Sequence, residues 1–156
     1  MDASCIAVVA ALQHFRRPDV SVDGERVTVH TLTERVPAPL SILHVPICVT
    51  FSYFSAGSGD ESEATTTTTL IDATLQEEQL RDGDMTITLN KYGEVCQIAK
   101  AGGIPIEAIA LHRCMRKALV KVEEITAFVA KRLKEDQDER TKRDNLLEST
   151  AENDRT

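Results

Sequence analysis

The sequence predicts an α+β domain in which helices cover an antiparallel or mixed sheet. The central observation is a strand that begins after Pro46, where polar and apolar residues alternate with a period of two. Its apolar side consists of Ile47, Val49, Phe51 and Tyr53. Two further alternating segments, 84–90 and 94–100, flank a short turn and predict a hairpin that pairs with this strand. A long helical pattern from Ile106 carries an apolar stripe that can cover the sheet.

Composition limits the chain to one modest core. Its 156 residues are 42% hydrophobic, which suits a single domain. The net charge is −7, from 25 acidic and 18 basic residues. Because phosphate neutralisation drives nucleic-acid binding, any RNA contact of so acidic a chain must be local or shared with partners. No apolar run reaches the roughly 18 residues of a membrane helix, so no membrane association is expected.

The cysteines and histidines give no metal-site signature. Cys5, Cys48, Cys96 and Cys114 are far apart, and no C-x-x-C pair occurs. The four histidines, His14, His30, His44 and His112, also lack ligand spacing. The sequence therefore predicts reduced thiols in an intracellular protein without a bound metal.

The N-terminal segment predicts a helix over Ala3–Phe15 that ends before Pro18. It is apolar on almost every side, and such a helix is normally buried all round. We therefore expect that a segment outside this sequence, or a partner, completes its environment. A short strand follows at Arg26–His30, and a proline-containing connector, Thr31–Leu40, leads to the central strand.

The middle of the chain begins with a low-complexity stretch. Ser55–Thr69 is rich in glycine, acidic residues and threonine, and its first half predicts a mobile surface loop. Thr67–Asp72 predicts a strand antiparallel to the central one, because threonine favours strands. Leu75–Leu80 is long enough for only a short helical turn.

The C-terminal part predicts one long helix. Pro105 is expected at the first helical position, where proline is tolerated, and the helix is expected to span about Ile106 to Asp136. Its apolar stripe comprises Leu111, Met115, Ala118, Val122, Ile125, Val129 and Leu133. From Asp138 to Thr156 charges mix without an apolar period, so this tail is predicted to be frayed or disordered.

Several motifs resemble one known family. They are H-F-R-R-P-D-V-S-V at 14–22, P-L-S-I-L-H-V-P-I-C-V-T-F at 39–51, D-A-S-C-I-A at 2–7, E-E at 77–78 and A-G-G at 101–103. The chain resembles the RNase PH-like ring subunits of the eukaryotic RNA exosome, from Met1 to about Lys134. The resemblance implies half of an RNase PH-like fold, of the ribosomal protein S5 domain 2-like type.

The resemblance also implies a division of the chain. Residues 1–35 correspond to a remnant of the first RNase PH subdomain, and residues 36–137 to the C-terminal subdomain, similar to exoribonuclease phosphorolytic domain 2. Residues 138–156 form the charged tail. The family's N-terminal half is not part of this sequence.

The implied function is that of a non-catalytic structural subunit of the hexameric exosome ring. Such subunits support 3′-to-5′ RNA processing and degradation, including rRNA maturation and mRNA turnover. The implied partners are other ring subunits and RNA-binding cap proteins, with RNA contacted indirectly. The implied location is the nucleus and nucleolus, and also the cytoplasm.

Catalytic competence depends on two features of active family members. The first is a phosphate-binding arginine, and the resemblance places Asp2 at its position, where a carboxylate repels phosphate. The second is an acidic pair, here Glu78 and Asp84, which are vestigial candidates. The alternative is an active phosphate-dependent 3′-5′ exoribonuclease that uses Glu78 and Asp84 with Mg²⁺. The simpler interpretation is a solvated acidic turn formed by Glu77, Glu78, Asp82 and Asp84, which requires no cofactor.

Candidate RNA or partner contacts come from basic residues. They are Arg16, Arg17, Arg113, Arg116 and Lys117. A helix C-terminus also favours cations, and a charged helix face is usually just solvated, so structural roles remain open for all five. Gly102-Gly103 fits either a phosphate nest or a turn. A third hypothesis for the function of the whole chain is a free-standing interaction module unrelated to RNA.

Overall fold

The computed structural model describes residues 1–31, 34–56 and 66–153, with backbone only at residues 56 and 66 and from 144 to 153. The predicted mobile loop falls largely on 57–65, outside the described residues. The helices are α1 (Asp2–His14), α2 (Leu75–Leu80) and α3 (Ala108–Asn153). The strands are β1 (Arg16–Arg17), β2 (Val20–Asp23), β3 (Arg26–Val29), β4 (Ala38–Pro39), β5 (Ile47–Ala56), β6 (Thr66–Ile71), β7 (Gly83–Leu89) and β8 (Val95–Ala99).

The chain forms two compact units. The first contains residues 1–9 and 44–126, and the second contains residues 10–43 and the chain from 127 onward. These units are defined by packing alone. The family-based boundaries at 35/36 and 137/138 therefore remain predictions.

The first unit contains a four-stranded antiparallel sheet in the order β6-β5-β7-β8. The central position of β5 is confirmed, since Phe51 pairs with Ile71 on one side and with Met85 on the other. The predicted hairpin is also confirmed, with Ile87 opposite Ile98. So are the antiparallel strand β6 and the short helix α2.

The core of this unit lies between one face of the sheet and α3. Its most buried members, all at most 5% exposed, are Ile47, Val49, Phe51, Tyr53, Met85, Ile87, Leu89, Cys114, Ala118 and Val122. The strand residues are those that the alternation assigned to the apolar face. The helix residues follow three- and four-residue steps, so they occupy one side of α3. The predicted packing of helix on sheet is therefore confirmed.

Helix α1 is only partly covered. In the first unit Ile6 and Val9 pack against the core, but Val8 is 58% exposed. In the second unit Leu12 and Phe15 are 46% and 52% exposed. One face of this apolar helix is therefore covered in the described structure, and the rest of its apolar surface is open to solvent. The expectation that a segment outside this sequence, or a partner, completes its environment stays a prediction.

Helix α3 begins later than predicted. It starts at Ala108, and the Leu111 amide donates to the Glu107 carbonyl at 3.0 Å. Pro105 is therefore not the first helical residue. Ile104 and Ile106 instead pack against the core, which keeps this connection outside the helix.

The helix also ends later than predicted. It continues to Asn153, through the segment that the sequence predicts to be frayed or disordered. The segment contains neither proline nor glycine. It carries ion pairs with four-residue spacing, Arg140–Asp136 at 2.9 Å and Arg143–Glu139 at 3.5 Å. Such pairs support a helix even without an apolar stripe.

The second unit contains the β2–β3 hairpin, with Val20 opposite Val29 and Val22 opposite Val27. The predicted strand at Arg26–His30 is present, and its partner β2 is an element that the sequence analysis did not identify. Strands β1 and β4 form a two-residue antiparallel pair. Within the described ranges, no helix has the length and apolarity needed to cross a membrane.

Candidate functional site

The acidic segment before β7 begins with a capped helix. The Glu77 amide donates to the Thr74 hydroxyl at 3.4 Å, and the Glu77 carboxylate accepts from the Thr74 amide at 2.7 Å. This reciprocal pair is a capping box, which satisfies free donors at the start of α2. The hydrogen bond from the Thr74 amide lowers the pKa of Glu77. Glu77 therefore has a structural role in the first turn of α2.

The two vestigial acids share one arginine. Arg81 places Nη1 3.7 Å from Oε1 of Glu78 and Nη2 3.3 Å from Oδ1 of Asp84. Both carboxylates are partly exposed, at 49% and 40% for their side chains. The guanidinium of the chain itself thus bridges the carboxylates that a catalytic Mg²⁺ would otherwise have to hold.

Asp82 is hydrogen-bonded to the C-terminal end of β5. Its carboxylate accepts from the Ser55 amide at 2.6 Å and from the Ser55 hydroxyl at 2.7 Å, and its own amide donates to the Tyr53 carbonyl at 2.9 Å. The backbone hydrogen bond from Ser55, followed by that of the hydroxyl, lowers the pKa of Asp82. In the described part of the chain, no three or more His, Cys, Asp or Glu side chains group as metal ligands.

Asp2 connects α1 to the central strand. The Thr50 amide donates to Oδ2 of Asp2 at 2.7 Å, and the Thr50 hydroxyl donates to Oδ1 at 2.6 Å. The Thr50 hydroxyl also lies 3.0 Å from that of Thr86 on β7. Both carboxylate oxygens therefore bind the sheet. At the position where active relatives are expected to hold phosphate, this chain presents a hydrogen-bonded negative group.

The glycine pair forms a tight turn after β8. Gly102 and Gly103 have φ of +87° and +77°, a region that other residues rarely adopt. A Cβ atom added to Gly103 would lie 2.7 Å from both the Asp82 carbonyl oxygen and the Gly83 Cα. One at Gly102 would meet no atom within 4 Å. Close backbone approach thus accounts for Gly103, and the turn interpretation suffices for this pair.

The basic candidates are divided between the two units. Arg113, Arg116 and Lys117 lie in the first unit, and all three are exposed on α3. Their i, i+3, i+4 spacing places them on one side of the helix, away from the buried Cys114 and Ala118. Among the described residues, the ion pairs along α3 begin beyond them, with Lys121–Glu124 at 2.8 Å.

Arg16 belongs to the second unit, where its guanidinium is engaged in hydrogen bonds. It donates to the carbonyls of Gln13, His14 and Phe15 at 2.7, 3.2 and 3.1 Å, and to Oε1 of Gln137 at 2.9 Å. It therefore caps the C-terminal end of α1, where free carbonyls favour a cation. Its neighbour Arg17 is exposed.

Sequence reasoning missed three residues of this site: Arg81, Thr50 and Ser55. A spacing signal for Arg81 was present, since it lies three residues after Glu78 and three before Asp84. Thr50 and Ser55 gave no local signal, because their partners are distant in sequence.

The antiparallel sheet, its covering helix and the acidic segment before β7 define an α+β domain. Residues 44–121 match the model of the 3′ exoribonuclease family, domain 2, and the chain belongs to this family. The predicted fold class is thereby confirmed.

Curated relatives extend the comparison. The exosome complex component RRP45 of Saccharomyces cerevisiae is 49% identical over 156 residues, which cover 98% of this chain and 50% of that protein. Its counterpart in Schizosaccharomyces pombe is 50% identical over 156 residues, covering 100% and 50%. The Homo sapiens RRP45 is 46% identical over 137 residues, covering 88% and 29%. The predicted resemblance to exosome subunits is confirmed, and the chain spans about half the length of the two yeast relatives.

Proposed function

We propose that this protein is a non-catalytic structural subunit of the RNA exosome ring. In that role it supports 3′-to-5′ RNA processing and degradation, including rRNA maturation and mRNA turnover. Support for the assembly comes from relatives that are named exosome complex components. Support for the absence of catalysis comes from one observation, the position of Arg81 between Glu78 and Asp84.

The physical argument concerns charge. A catalytic Mg²⁺ needs carboxylate oxygens that are free to coordinate it. In this chain the Arg81 guanidinium already lies beside the two candidate carboxylates and compensates their charge, and a divalent cation there would be repelled by it. Asp2 adds a second obstacle, because its negative charge opposes an incoming phosphate. No cofactor is therefore assigned to the protein.

The proposed partners are the other ring subunits and the cap proteins. A net charge of −7 disfavours independent RNA binding, so RNA contacts should be local. The exposed cations Arg113, Arg116 and Lys117 are the best-placed candidates for such contacts or for a neighbouring subunit, followed by the exposed Arg17. We assign the protein to the nucleus, the nucleolus and the cytoplasm, as the resemblance implies.

The test of catalysis uses end-labelled RNA, the purified chain and its exosome assembly, with Mg²⁺ and with or without inorganic phosphate. The expected result is that addition of the chain releases no nucleoside diphosphate. Asp84→Ala in the assembly should leave nuclease output unchanged, since other subunits do the cutting. Phosphate-dependent release of nucleoside diphosphates that disappears in Asp84→Ala would establish the alternative instead, an active exoribonuclease that uses Glu78 and Asp84 with Mg²⁺.

The test of assembly is affinity purification of the tagged chain from cells, followed by mass spectrometry. Exosome ring and cap components should co-purify in stoichiometric amounts. A purification that contains no exosome component would favour the free-standing interaction module. Fluorescence microscopy of the same tagged chain checks the assigned locations.

A further inference from the structure

Two cysteines of the first unit, Cys5 on α1 and Cys48 on β5, lie at the same point of contact. Asp2 binds Thr50, and one turn later the Cys5 thiol lies 3.5 Å from the Pro46 carbonyl oxygen. Residues 46, 48 and 50 alternate with the buried residues of this extended chain, so Cys48 lies on the Thr50 side, midway between the two contacts. α1 therefore runs along this side of the strand with Cys5 directly beside Cys48.

The environment of the pair agrees with this placement. Burial raises the pKa of the Cys5 thiol, and the neighbouring side chain of Cys48 raises it further. Cys48 in turn places its sulfur 3.4 Å from the Thr88 hydroxyl. Both thiols are only half-buried, so a small oxidant can reach them.

The other two cysteines differ in ways that make them internal controls. Cys114 is buried, with its sulfur 3.7 Å from the Tyr53 hydroxyl. Cys96 is exposed on the edge strand β8. Neither lies against α1 in the described contacts.

We propose that Cys5 and Cys48 are a redox-active pair that closes a reversible disulfide between α1 and β5 when the protein meets a peroxide. One thiol loses its proton, and the thiolate attacks hydrogen peroxide. The O–O bond breaks to give a sulfenic acid and hydroxide, and the hydroxide takes up the released proton to give water. The second thiol then attacks the sulfenic sulfur, the S–S bond forms, and a second water leaves. Two thiols and one peroxide thus give one disulfide and two waters, and an external dithiol reverses the step.

The pair has a mechanical consequence. The Asp2–Thr50 hydrogen bonds already hold the start of α1 against the sheet. A disulfide one turn later would make this attachment covalent. The raised pKa of Cys5 predicts that this thiol reacts more slowly with peroxide than an unperturbed cysteine, because the thiolate is the reactive form.

The experiment treats the full 156-residue chain with hydrogen peroxide, blocks remaining thiols by alkylation, and digests it without reduction. Mass spectrometry should find a linked pair of peptides that contain Cys5 and Cys48, lighter than their sum by two hydrogens. Cys114 should remain alkylatable only after unfolding. The linked species should revert on addition of dithiothreitol and be absent in Cys48→Ser and in Cys5→Ser.

The matched control repeats the oxidation in guanidinium chloride. Loop closure in an unfolded chain favours the shortest separation, so Cys96–Cys114 should then dominate over Cys5–Cys48. Cys96→Ser should leave the native Cys5–Cys48 link unchanged. The proposal is overturned if native and denatured protein give the same pairing, or if Cys5 and Cys48 are oxidised singly without being linked.

Discussion

Asp2 and Thr50 form a two-bond contact that ties the first residues of α1 to the central strand, with donor–acceptor distances of 2.7 and 2.6 Å. Residues 48 positions apart thus meet through one carboxylate and one threonine. The same carboxylate occupies the position at which the family resemblance places a phosphate-binding arginine. In this protein both oxygens of that carboxylate accept hydrogen bonds from Thr50, so Asp2 contributes to the packing of α1 on the sheet.

Replacement of Asp2 by alanine should destabilise the protein. It removes the acceptor of the half-buried Thr50 amide and leaves the Thr50 hydroxyl with only the Thr86 hydroxyl as a partner. A hydrogen bond to a charged group contributes about 1.5–3 kcal/mol. Denaturant unfolding at neutral pH measures the change. Asp2→Asn, which keeps one acceptor oxygen, should lose less. Glu25→Ala removes an exposed carboxylate from the hairpin turn and should stay within about 0.5 kcal/mol of wild type.

Two neighbouring glycines allow strain and collision to be separated. Gly102→Ala should cost about 1–2 kcal/mol, the usual penalty for a side chain in the left-handed region. Gly103→Ala should cost clearly more, because its Cβ would also collide with the backbone of Asp82 and Gly83 at 2.7 Å. Equal unfolding free energies for the two variants would contradict the close approach of this turn to the start of β7.

The sheet could be predicted from the sequence because its information is local. Alternation from Ile47 to Tyr53, and again over β7, identified the apolar side of each strand. These two apolar sides form the observed core. The helix start was mispredicted at Pro105, since the local preference of proline was overridden by packing of Ile104 and Ile106. The tail was mispredicted because charge pairs such as Arg140–Asp136 support a helix without any apolar period.

The candidate site could be predicted only in part. The family resemblance indicated Glu78 and Asp84 as an acidic pair, and the structure places both beside Arg81. The partners of Asp2 and Asp82 are Thr50 and Ser55, which lie 48 and 27 residues away. Contacts of that range depend on strand register and helix placement, which no local pattern encodes.

Asp82 should make stability depend on pH in the acid range. Its pKa in the folded protein lies below its unfolded value of about 3.9, because Ser55 donates two hydrogen bonds to the carboxylate. Its contribution is therefore fully present above the unfolded pKa and is lost as the pH falls through the folded pKa. The stability difference between wild type and Asp82→Asn should be largest above about pH 5 and should shrink steadily as the pH falls below the unfolded pKa.

Denaturant unfolding across that pH range checks this sign. Ser55→Ala removes the hydroxyl donor but keeps the amide donor, so it should reproduce only part of the effect. A difference between wild type and Asp82→Asn that grows on acidification would show that the assigned hydrogen bonds do not stabilise the charged carboxylate.

Arg81→Met should have little effect on stability and should not create activity. The ion pairs with Glu78 and Asp84 are partly exposed, at distances of 3.7 and 3.3 Å, and such pairs contribute at most about 1 kcal/mol. The loss should shrink further in high salt, because screening weakens exposed pairs. Isothermal titration calorimetry measures Mg²⁺ binding as the second readout. Tight Mg²⁺ binding by the wild-type chain, unaffected by Arg81→Met, would contradict the blocking role of this arginine.

The exposed cations of α3 offer the sharpest test of contact with RNA or a neighbouring subunit. The triple variant Arg113→Glu, Arg116→Glu, Lys117→Glu changes only exposed side chains, so its unfolding midpoint should match that of wild type. In the assembled complex, RNA crosslinking to this subunit should fall. If all three cations contact phosphates of single-stranded RNA, the salt dependence of binding should lose a slope of about 2.

The matched control reverses the charges of Lys131 and Arg132 by substitution with glutamate. These two exposed cations lie further along the same helix and pair with Glu135 at 3.9 and 3.1 Å. This variant changes the net charge in the same direction but should leave crosslinking and its salt slope unchanged. A loss of assembly without a change in slope would identify the 113–117 face as a subunit contact instead. If the triple variant changes neither RNA crosslinking nor assembly, the 113–117 face is only solvated. Reversing the charge of a cation that contacts phosphate or a partner subunit would weaken that contact.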